Sequence, residues 1–347
     1  MEGLRGVAVL LVFLVHYATL VSPWVPDGGH SEWLLEQVHA IGNVGVDLFF
    51  VLSGYLIYGS LLGAPRPFMD YLARRVRRIY PAFLVVFAVY LLLALASGRV
   101  ERFPADPAAA ALYVLQNLLL LPGVFPIDPL ITVAWSLSYE FFFYLLVPLV
   151  VTVASLRARS GAWRIGFVLL CTVLALLSFA AWGGPVRMSM FLAGMLLFEL
   201  VRGGHGMGWG SLAGLLTGLL GLAVPLLAMP GPALQALRVG LVYAAFLGLC
   251  LAAFRQPDGW LGRGLSWAPL RWMGNISYSY YLLHGLALQL FFIGLKPVLP
   301  VGGEWAAVLL LLPAWLATLP LCLALYLGIE RPLSLAARAS GGLRGGA

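Results

Sequence analysis

Apolar segments of about 20 residues recur along the whole chain and are separated by short polar stretches. A helix of that length rises 1.5 Å per residue and crosses the roughly 30 Å hydrocarbon core of a bilayer. The segments are continuously apolar and rich in leucine, whereas the strands of a membrane barrel alternate with a period of two. The pattern therefore predicts an all-α polytopic membrane helical bundle.

Eleven segments are candidates for membrane spans. Their approximate ranges are 4–22, 44–62, 79–97, 108–121, 133–154, 165–182, 188–201, 211–229, 237–254, 273–294 and 304–328. The segment 108–121 is the weakest, because it is short and bounded by prolines that include Pro107 and Pro122. It predicts a short re-entrant or interfacial helix.

The distribution of positive charge tests the number of spans. Ten spans place 16 of the 21 Lys and Arg residues on the inner side, whereas eleven place only 9 there. The positive-inside rule therefore predicts about ten transmembrane helices with both termini in the cytoplasm. We expect residues 1–347 to form a single membrane domain, in which 338–347 is a flexible tail.

The amino-acid composition excludes several classes of protein and of binding partner. The chain is 62% hydrophobic and 10% charged, which excludes an ordinary soluble enzyme. Cytoplasmic loops that face anionic membrane lipids explain the net charge of +7, so no nucleic-acid partner is predicted. Cys171, Cys250 and Cys322 each lie inside an apolar run without a paired cysteine or flanking histidine. They predict neither a disulfide nor a metal site.

Four titratable side chains lie near the predicted mid-membrane plane. Counted at 1.5 Å per residue from the inner end of each span, His16, Glu140, Asp47 and His284 lie at about 18, 21, 22 and 16 Å. Such groups are costly in hydrocarbon, so we expect them to face a polar cavity or one another. A structural role stays open for His284, as a hydrogen-bonded packing residue, and for Asp47, as a partner of the helix dipole.

Four arginines lie just before the third candidate span, at Arg74, Arg75, Arg77 and Arg78. They are either a topological signal that contacts lipid headgroups or a site that captures a phosphorylated ligand, and one cluster can serve both roles. Arg75 and Arg78 are three residues apart and are predicted to share a helix face.

Six motifs follow one another along the chain. They are Gly3-Leu4-Arg5-Gly6 with His16, Val44–Ile57 with Asp47 and Ser53-Gly54-Tyr55, Arg78-Ile79-Tyr80-Pro81, Trp135-Ser136-Leu137 with Glu140 and Tyr144, Ile276–His284, and Glu330-Arg331-Pro332. In these residues and their order the chain resembles the acyltransferase-3 family of integral membrane acyltransferases.

The resemblance implies transfer of an acyl group, commonly acetyl, from cytoplasmic acyl-CoA to a hydroxyl of a glycan, polysaccharide or lipid-linked sugar. It also implies a bacterial inner membrane, with acyl-CoA as a co-substrate and no permanently bound cofactor. His16 matches the family's essential histidine and Arg5 its essential arginine. Arg75 and Arg78 match the arginine pair for the donor, and Glu140 matches the functional glutamate.

These residues suit acyl transfer. His16 can accept the hydroxyl proton or carry the acyl group, and Glu140 would orient its imidazole if the two helices are neighbours. Arg5 and the cluster residues Arg74, Arg75 and Arg78 would bind the donor. Supporting or path-lining roles are predicted for Asp47, Ser53, Tyr55, Asn275, Ser277, Tyr278 and His284.

The alternative function is that of a proton-coupled transporter or flippase for a glycan-related substrate, in which the buried ionisable groups relay protons.

Overall fold

The computed structural model describes residues 1–63, 67–96, 103–205, 208–299 and 302–333. Within these ranges the chain is helical, and its one β-type pairing is an isolated bridge between Pro122 and Phe125. The prediction of an all-α membrane bundle is confirmed. The helices are α1 (Glu2–Val21), α2 (His30–Asn43), α3 (Gly45–Leu62), α4 (Phe68–Ala96), α5 (Pro107–Leu118), α6 (Ala134–Val153), α7 (Gly161–Trp182), α8 (Ser189–Arg202), α9 (Ser211–Ala223), α10 (Pro232–Arg255), α11 (Trp260–Leu265), α12 (Ala268–Asn275), α13 (Ser277–Leu295), α14 (Ala306–Leu309) and α15 (Leu311–Leu325), which a π-helical turn extends at Tyr326–Glu330.

In the described part of the chain, eight helical segments are long and apolar enough to cross a bilayer. They are Glu2–Trp24, His30–Leu62, Phe68–Ala96, Ala134–Val153, Gly161–Trp182, Pro232–Arg255, Ser277–Leu295 and Ala306–Leu333. Helix α5, in the segment predicted to be re-entrant or interfacial, has 12 residues and is too short to span as a helix. Helices α8 and α9, with 14 and 13 residues, are also short. Ten spans, cytoplasmic termini and a single domain therefore stay predictions.

Some residues used in those predictions lie outside the described ranges. They are Arg66, Arg99, Arg102, Arg338, Arg344 and the tail 338–347.

Long-range hydrogen bonds define one end of the bundle. Arg157, in the turn after α6, donates from Nε to the carbonyl of Leu61 at the end of α3, at 2.8 Å. Arg255, at the end of α10, donates from Nη2 to the carbonyl of Leu200 in the last turn of α8, at 2.8 Å. We call the end of the bundle that contains these four residues the basic end. The positive-inside prediction places it in the cytoplasm.

The arginine cluster lies inside a helix. Helix α4 begins at Phe68, so it contains both the cluster and the apolar segment predicted to span from residue 79 onward. Hydropathy marks where a segment becomes apolar, whereas backbone hydrogen bonding continues through the polar first turns. Arg78 therefore lies about 15 Å along α4 from its first residue.

Helices α3 and α8 approach each other through small residues. A Cβ atom added to Gly194 of α8 would lie 2.1 Å from the carbonyl oxygen of Val51, and one added to Gly54 of α3 would lie 2.2 Å from that of Phe191. Close backbone approach through glycine is a common way to pack helices in membranes, where burial of apolar surface gives no drive for association. This contact fixes the helix that carries Ser53.

Gly194→Ala is expected to destabilise the bundle, because the new methyl group meets backbone and cannot be accommodated by a side-chain rotation. The cost of such overpacking is typically about 1–3 kcal/mol, which thermal unfolding of the detergent-purified protein measures as a lower midpoint. The matched control is Gly166→Ala in α7, whose added Cβ would have no heavy atom within 4 Å. Equal midpoints for the two variants would contradict the proposed close packing.

Candidate active site

Five helices, α1, α3, α4, α6 and α13, enclose a cavity of about 690 Å³. We call it the arginine cavity. Its polar lining consists of Arg5, Ser53, Arg78, Ser136, Glu140, Tyr144, Ser277, Tyr278 and Tyr281.

Two guanidinium groups face this cavity. Arg5 of α1 is half-buried, and Arg78 of α4 is exposed to the cavity. Within the described ranges neither guanidinium makes a hydrogen bond or an ion pair within 4.0 Å, although both interact electrostatically with Glu140 and Glu330. Their N–H groups are thus free to bind a ligand, and a guanidinium matches phosphate or carboxylate oxygens in a bidentate manner.

The two carboxylates are held by hydroxyl and backbone donors. Ser53 donates to Oε1 of Glu140 at 3.3 Å, and Tyr144, one helical turn further along α6, donates to the same oxygen. Glu330, at the end of the π-helical turn, accepts from the backbone N–H and the Oγ of Ser279 at 3.1 and 2.5 Å. The hydrogen-bond capacity of the two carboxylates is thus used by serine, tyrosine and backbone donors, which leaves the guanidinium N–H groups unoccupied.

The other arginines of the cluster occupy different positions. Arg75 donates to Ser60 at 3.1 Å and lies over the rings of Tyr71 and Tyr144, at 5.4 and 5.2 Å from their centroids. Arg74 is exposed on another face of α4. A spacing of three residues leaves two side chains rotated by about 60° on a helix. The predicted pair is therefore divided: Arg78 lines the cavity, and Arg75 packs beside it.

A second cavity, of about 560 Å³, lies further along the same helices. We call it the histidine cavity. It is lined by His16, Thr19 and Leu20 of α1, Tyr90 of α4, Thr132 and Val133 before α6, and Leu282, Gly285 and Gln289 of α13. Hydroxyl and amide groups accompany the imidazole, a combination that suits a polar, hydroxylated ligand.

His16 and Glu140, predicted as a possible catalytic pair, lie in different cavities. The partner of His16 is His284, whose ring meets it edge to face with 5.0 Å between centroids. The orienting role predicted for Glu140 is therefore not supported by this geometry. The depth scale correctly placed His16 near His284 but was wrong for Glu140. It started every helix at one level, whereas the first turns of α1 rest on α11 and α12, so Arg5 and not His16 lies level with Glu140.

Tyr281 separates the two cavities. Its ring lines the arginine cavity, and its hydroxyl interacts with Ser136 Oγ at 2.5 Å and with the carbonyl of Val133 at 3.2 Å. Val133 lines the histidine cavity, and the Tyr281 ring lies 6.3 Å from that of His284. Tyr281 therefore connects the lining of one cavity to that of the other.

Comparison with known proteins decides the family. A family model described as an acyltransferase domain matches residues 1–327. The chain belongs to the acyltransferase-3 family. The resemblance seen in the sequence motifs is thus confirmed, and membership of the acyltransferase-3 family supports an enzyme that transfers acyl groups.

Three relatives place the chain within the acyltransferase-3 family. It is 28% identical over 333 residues to YrhL of Bacillus subtilis (strain 168), which is named "Putative peptidoglycan O-acetyltransferase". This alignment covers 82% of the present chain and 47% of YrhL. It is 28% identical over 318 residues to the acyltransferase MdmB of Streptomyces mycarofaciens, covering 83% and 78%. The O-acetyltransferase OatA of Staphylococcus aureus (strain NCTC 8325 / PS 47) is 32% identical over 164 residues, covering 44% and 24%. The chain spans about half of YrhL and a quarter of OatA. No solved structure matches the chain.

Several residues predicted as supporting or path-lining have other positions in this family member. The ring of Tyr55 packs against Phe198 and Phe254, and Asn275 is exposed at the end of α12. Ser277 and Tyr278 do line the arginine cavity, but their hydroxyls donate to backbone carbonyls, at 2.7 and 2.6 Å. Ser277 thus caps the end of α12, and Tyr278 joins α13 to the middle of α4, so neither hydroxyl proton is left for a ligand.

Asp47 belongs to a buried ion pair. Its carboxylate accepts from Nε and Nη2 of Arg187 at 2.8 and 3.0 Å, and Arg187 also donates to Asn43. The Arg187 guanidinium lies 5.4 Å from the centroid of the Trp135 ring. The pair joins the start of α3 to the turn before α8, so the geometry favours the structural alternative for Asp47, with Arg187 and not the helix dipole as its main partner.

Sequence reasoning did not single out Glu330, Tyr144 and Tyr281 as site residues. Glu330 and Tyr144 were present in the quoted motifs, and an acidic residue at the end of an apolar span was a usable signal. Tyr281 also lay in a quoted motif, Ile276–His284, but an aromatic residue within a span is usually a packing residue, so nothing marked it as a site residue. Its position between cavities depends on the contacts of α13 with α6 and α1.

Asp47→Asn is expected to lower the thermal midpoint strongly, because it leaves Arg187 without its counter-ion. Breaking a fully buried pair from one side costs about 3–5 kcal/mol. A loss below that range is expected here, because Arg187 is partly exposed and keeps its hydrogen bonds to Asn43. The double variant Asp47→Asn, Arg187→Gln should recover part of the loss. Exposure of the two side chains is 6% and 23%, against 44% and 54% in the pair of Glu2 with Arg271. Glu2→Gln is therefore the control, with a change of no more than about 1 kcal/mol. An unchanged midpoint in Asp47→Asn with activity lost would instead indicate a direct role in transfer.

Proposed function

We propose that this chain is a membrane O-acyltransferase that moves an acyl group, most simply acetyl, from acyl-CoA to a hydroxyl of a glycan, polysaccharide or lipid-linked sugar. The observation that carries the proposal is the pair of cavities that meet at Tyr281, one with two uncommitted guanidinium groups and one with His16. The donor would enter from the basic end, in the cytoplasm of a bacterium, and the acceptor would bind on the opposite side of the inner membrane.

The arginine cavity supports an acyl-CoA donor. Coenzyme A carries a diphosphate and a further phosphate, and Arg5 and Arg78 offer free N–H groups to such oxygens. The remaining lining includes Phe49, Phe50 and Leu137, which suit the uncharged pantetheine arm and the thioester. Acyl-CoA would act as a co-substrate, and we propose no resident cofactor.

The histidine cavity supports a hydroxylated acceptor. Its Thr19, Thr132 and Gln289 side chains can exchange hydrogen bonds with sugar hydroxyls close to the imidazole of His16. The relatives named as O-acetyltransferases, one of them for peptidoglycan, support a glycan acceptor as well.

The proposed step is a direct acyl transfer. The acceptor oxygen forms a bond to the carbonyl carbon of the thioester as its proton passes to the unprotonated ring nitrogen of His16. The carbon–sulfur bond then breaks, and the thiolate of CoA leaves with the bonding electron pair. The proton on His16 is finally released to the thiolate or to water, which restores the neutral imidazole.

Arg5→Gln and Arg78→Gln, alone and together, are expected to weaken binding of CoA, measured by titration calorimetry. A hydrogen bond to a charged group contributes about 1.5–3 kcal/mol, so each substitution should raise Kd by about 10-fold or more. Arg77→Gln is the charge-matched control, because Arg77 is exposed on α4 outside the cavity lining. An unchanged Kd in the double variant would remove the cavity as the donor site and return the cluster to a topological role.

His16→Ala is expected to abolish turnover while the Kd for CoA stays unchanged, because His16 lies outside the arginine cavity. The assay follows release of CoA thiol and acetylation of a glycan acceptor in proteoliposomes. His30→Ala, at the exposed start of α2, is the control that should keep full turnover. Full turnover by His16→Ala would overturn the catalytic assignment.

A further inference from the structure

His284 is fully buried, and one of its ring nitrogens has no partner. Its Nδ1 lies 2.9 and 3.0 Å from the carbonyl oxygens of Tyr280 and Tyr281. Carbonyl oxygens only accept hydrogen bonds, so Nδ1 carries the proton and Nε2 presents a lone pair. Across the described residues nothing donates to that Nε2. A buried acceptor without a donor is costly, and such an atom in a native protein calls for an explanation.

The neighbouring phenols cannot supply the missing donor. Tyr280 stacks on the His284 ring at 5.4 Å between centroids, but its hydroxyl is bonded to Thr318 at 2.8 Å. The Tyr281 hydroxyl interacts with Ser136 and Val133, as described above. The remaining polar ring in contact is that of His16, 5.0 Å away between centroids.

We propose that His284 is a positioning residue for His16. The two rings meet edge to face without a hydrogen bond in this structure, and in the active enzyme Nε2 of His284 accepts one from a ring N–H of His16. This inference rests on the proposed function of His16 as the base. A neutral imidazole has one N–H, so the bond to His284 holds that proton on the inner nitrogen and leaves the other nitrogen unprotonated toward the histidine cavity. When His16 takes the acceptor proton, both of its nitrogens are N–H, and the bond to His284 is retained in the charged state.

In other enzymes a hydrogen-bonded group fixes the tautomer of the catalytic histidine. Here His284 has that role, and His16 is the base. The group that fixes it is here a neutral imidazole on α13, and the predicted carboxylate of Glu140 lies in the other cavity. A neutral partner suits a position that is fully buried among Tyr280, Tyr281 and Leu288, because a carboxylate there would carry a large desolvation cost.

Two substitutions separate the two nitrogens of His284. In His284→Asn the amide N–H replaces Nδ1–H, so the helix contacts remain and the acceptor is lost. In His284→Gln the amide oxygen replaces the Nε2 acceptor. We expect kcat to fall by about 100-fold in the Asn variant, in line with loss of a well-oriented base, with unchanged KM for donor and acceptor. The Gln variant should stay within a few-fold of the native protein, and thermal midpoints check the folding of both.

A second readout does not depend on turnover. The chain contains 5 histidines, so magic-angle-spinning ¹⁵N spectra of histidine-labelled protein in lipid are simple, and His16→Ala assigns the His16 signals. We expect one His16 tautomer in the native protein and in His284→Gln, and a mixture in His284→Asn. Unchanged tautomer populations in the Asn variant, or native turnover by it, would overturn the inference. If native protein transferred no acyl group from any acyl-CoA tested, the proposed function would fail, whereas the spectra would still decide whether the two rings are hydrogen-bonded.

Discussion

A charged side chain inside a helical bundle must be neutralised nearby, and this constraint organises the whole molecule. Two arginines meet it with direct ion pairs, Arg164 with Glu199 at 2.7 Å and Arg187 with Asp47 at 2.8 Å. The first pair joins the consecutive helices α7 and α8, and the second joins the turn before α8 to α3, 140 residues away in the sequence. The charges of Arg5 and Arg78 are compensated by carboxylates that do not form a direct ion pair with them. Their compensating carboxylates interact with them electrostatically but accept hydrogen bonds from serine and tyrosine instead. The guanidinium N–H groups therefore remain available to a ligand in the cavity.

Two parallel helices distribute the chemistry between the cavities. On α1, Arg5 and His16 are 11 residues apart, which is close to three full turns, so they share a face and lie about 16 Å apart along the axis. On α13, Tyr281 and His284 are three residues apart, which is almost one turn. Tyr281 lies between the two cavities, and His284 contacts the His16 ring. Rotation of either helix would displace both functions at once, which is consistent with the close packing of the first turns of α1 against α12.

Much of the architecture and of the residue set could be predicted from the sequence, but the pairing of the residues could not. Hydropathy gave the long helices, and the ordered motifs contained Arg5, His16, Arg78 and Glu140. The partner of Asp47 was Arg187, 140 residues away in a connecting segment, and nothing local in the sequence links the two. The same holds for His16 and His284, whose contact depends on α1 and α13 lying side by side. A depth scale that counts residues from assumed span ends also gives wrong relative depths for residues on helices that start at different levels.

The position of Tyr281 between the two cavities suggests how acyl transfer across the membrane would work under the proposed function. A continuous aqueous passage between the cavities would let water compete with the acceptor for the thioester and would open a leak through the bundle. The hydroxyl of Tyr281 is engaged by Ser136 and Val133, and its ring lies beside that of Phe49, so this side chain is held in place between the two cavities. Under the proposed function, only a group as small as the acyl carbonyl needs to reach past this side chain, while the phosphates stay with Arg5 and Arg78. The bundle would therefore move the acyl group across without moving the coenzyme.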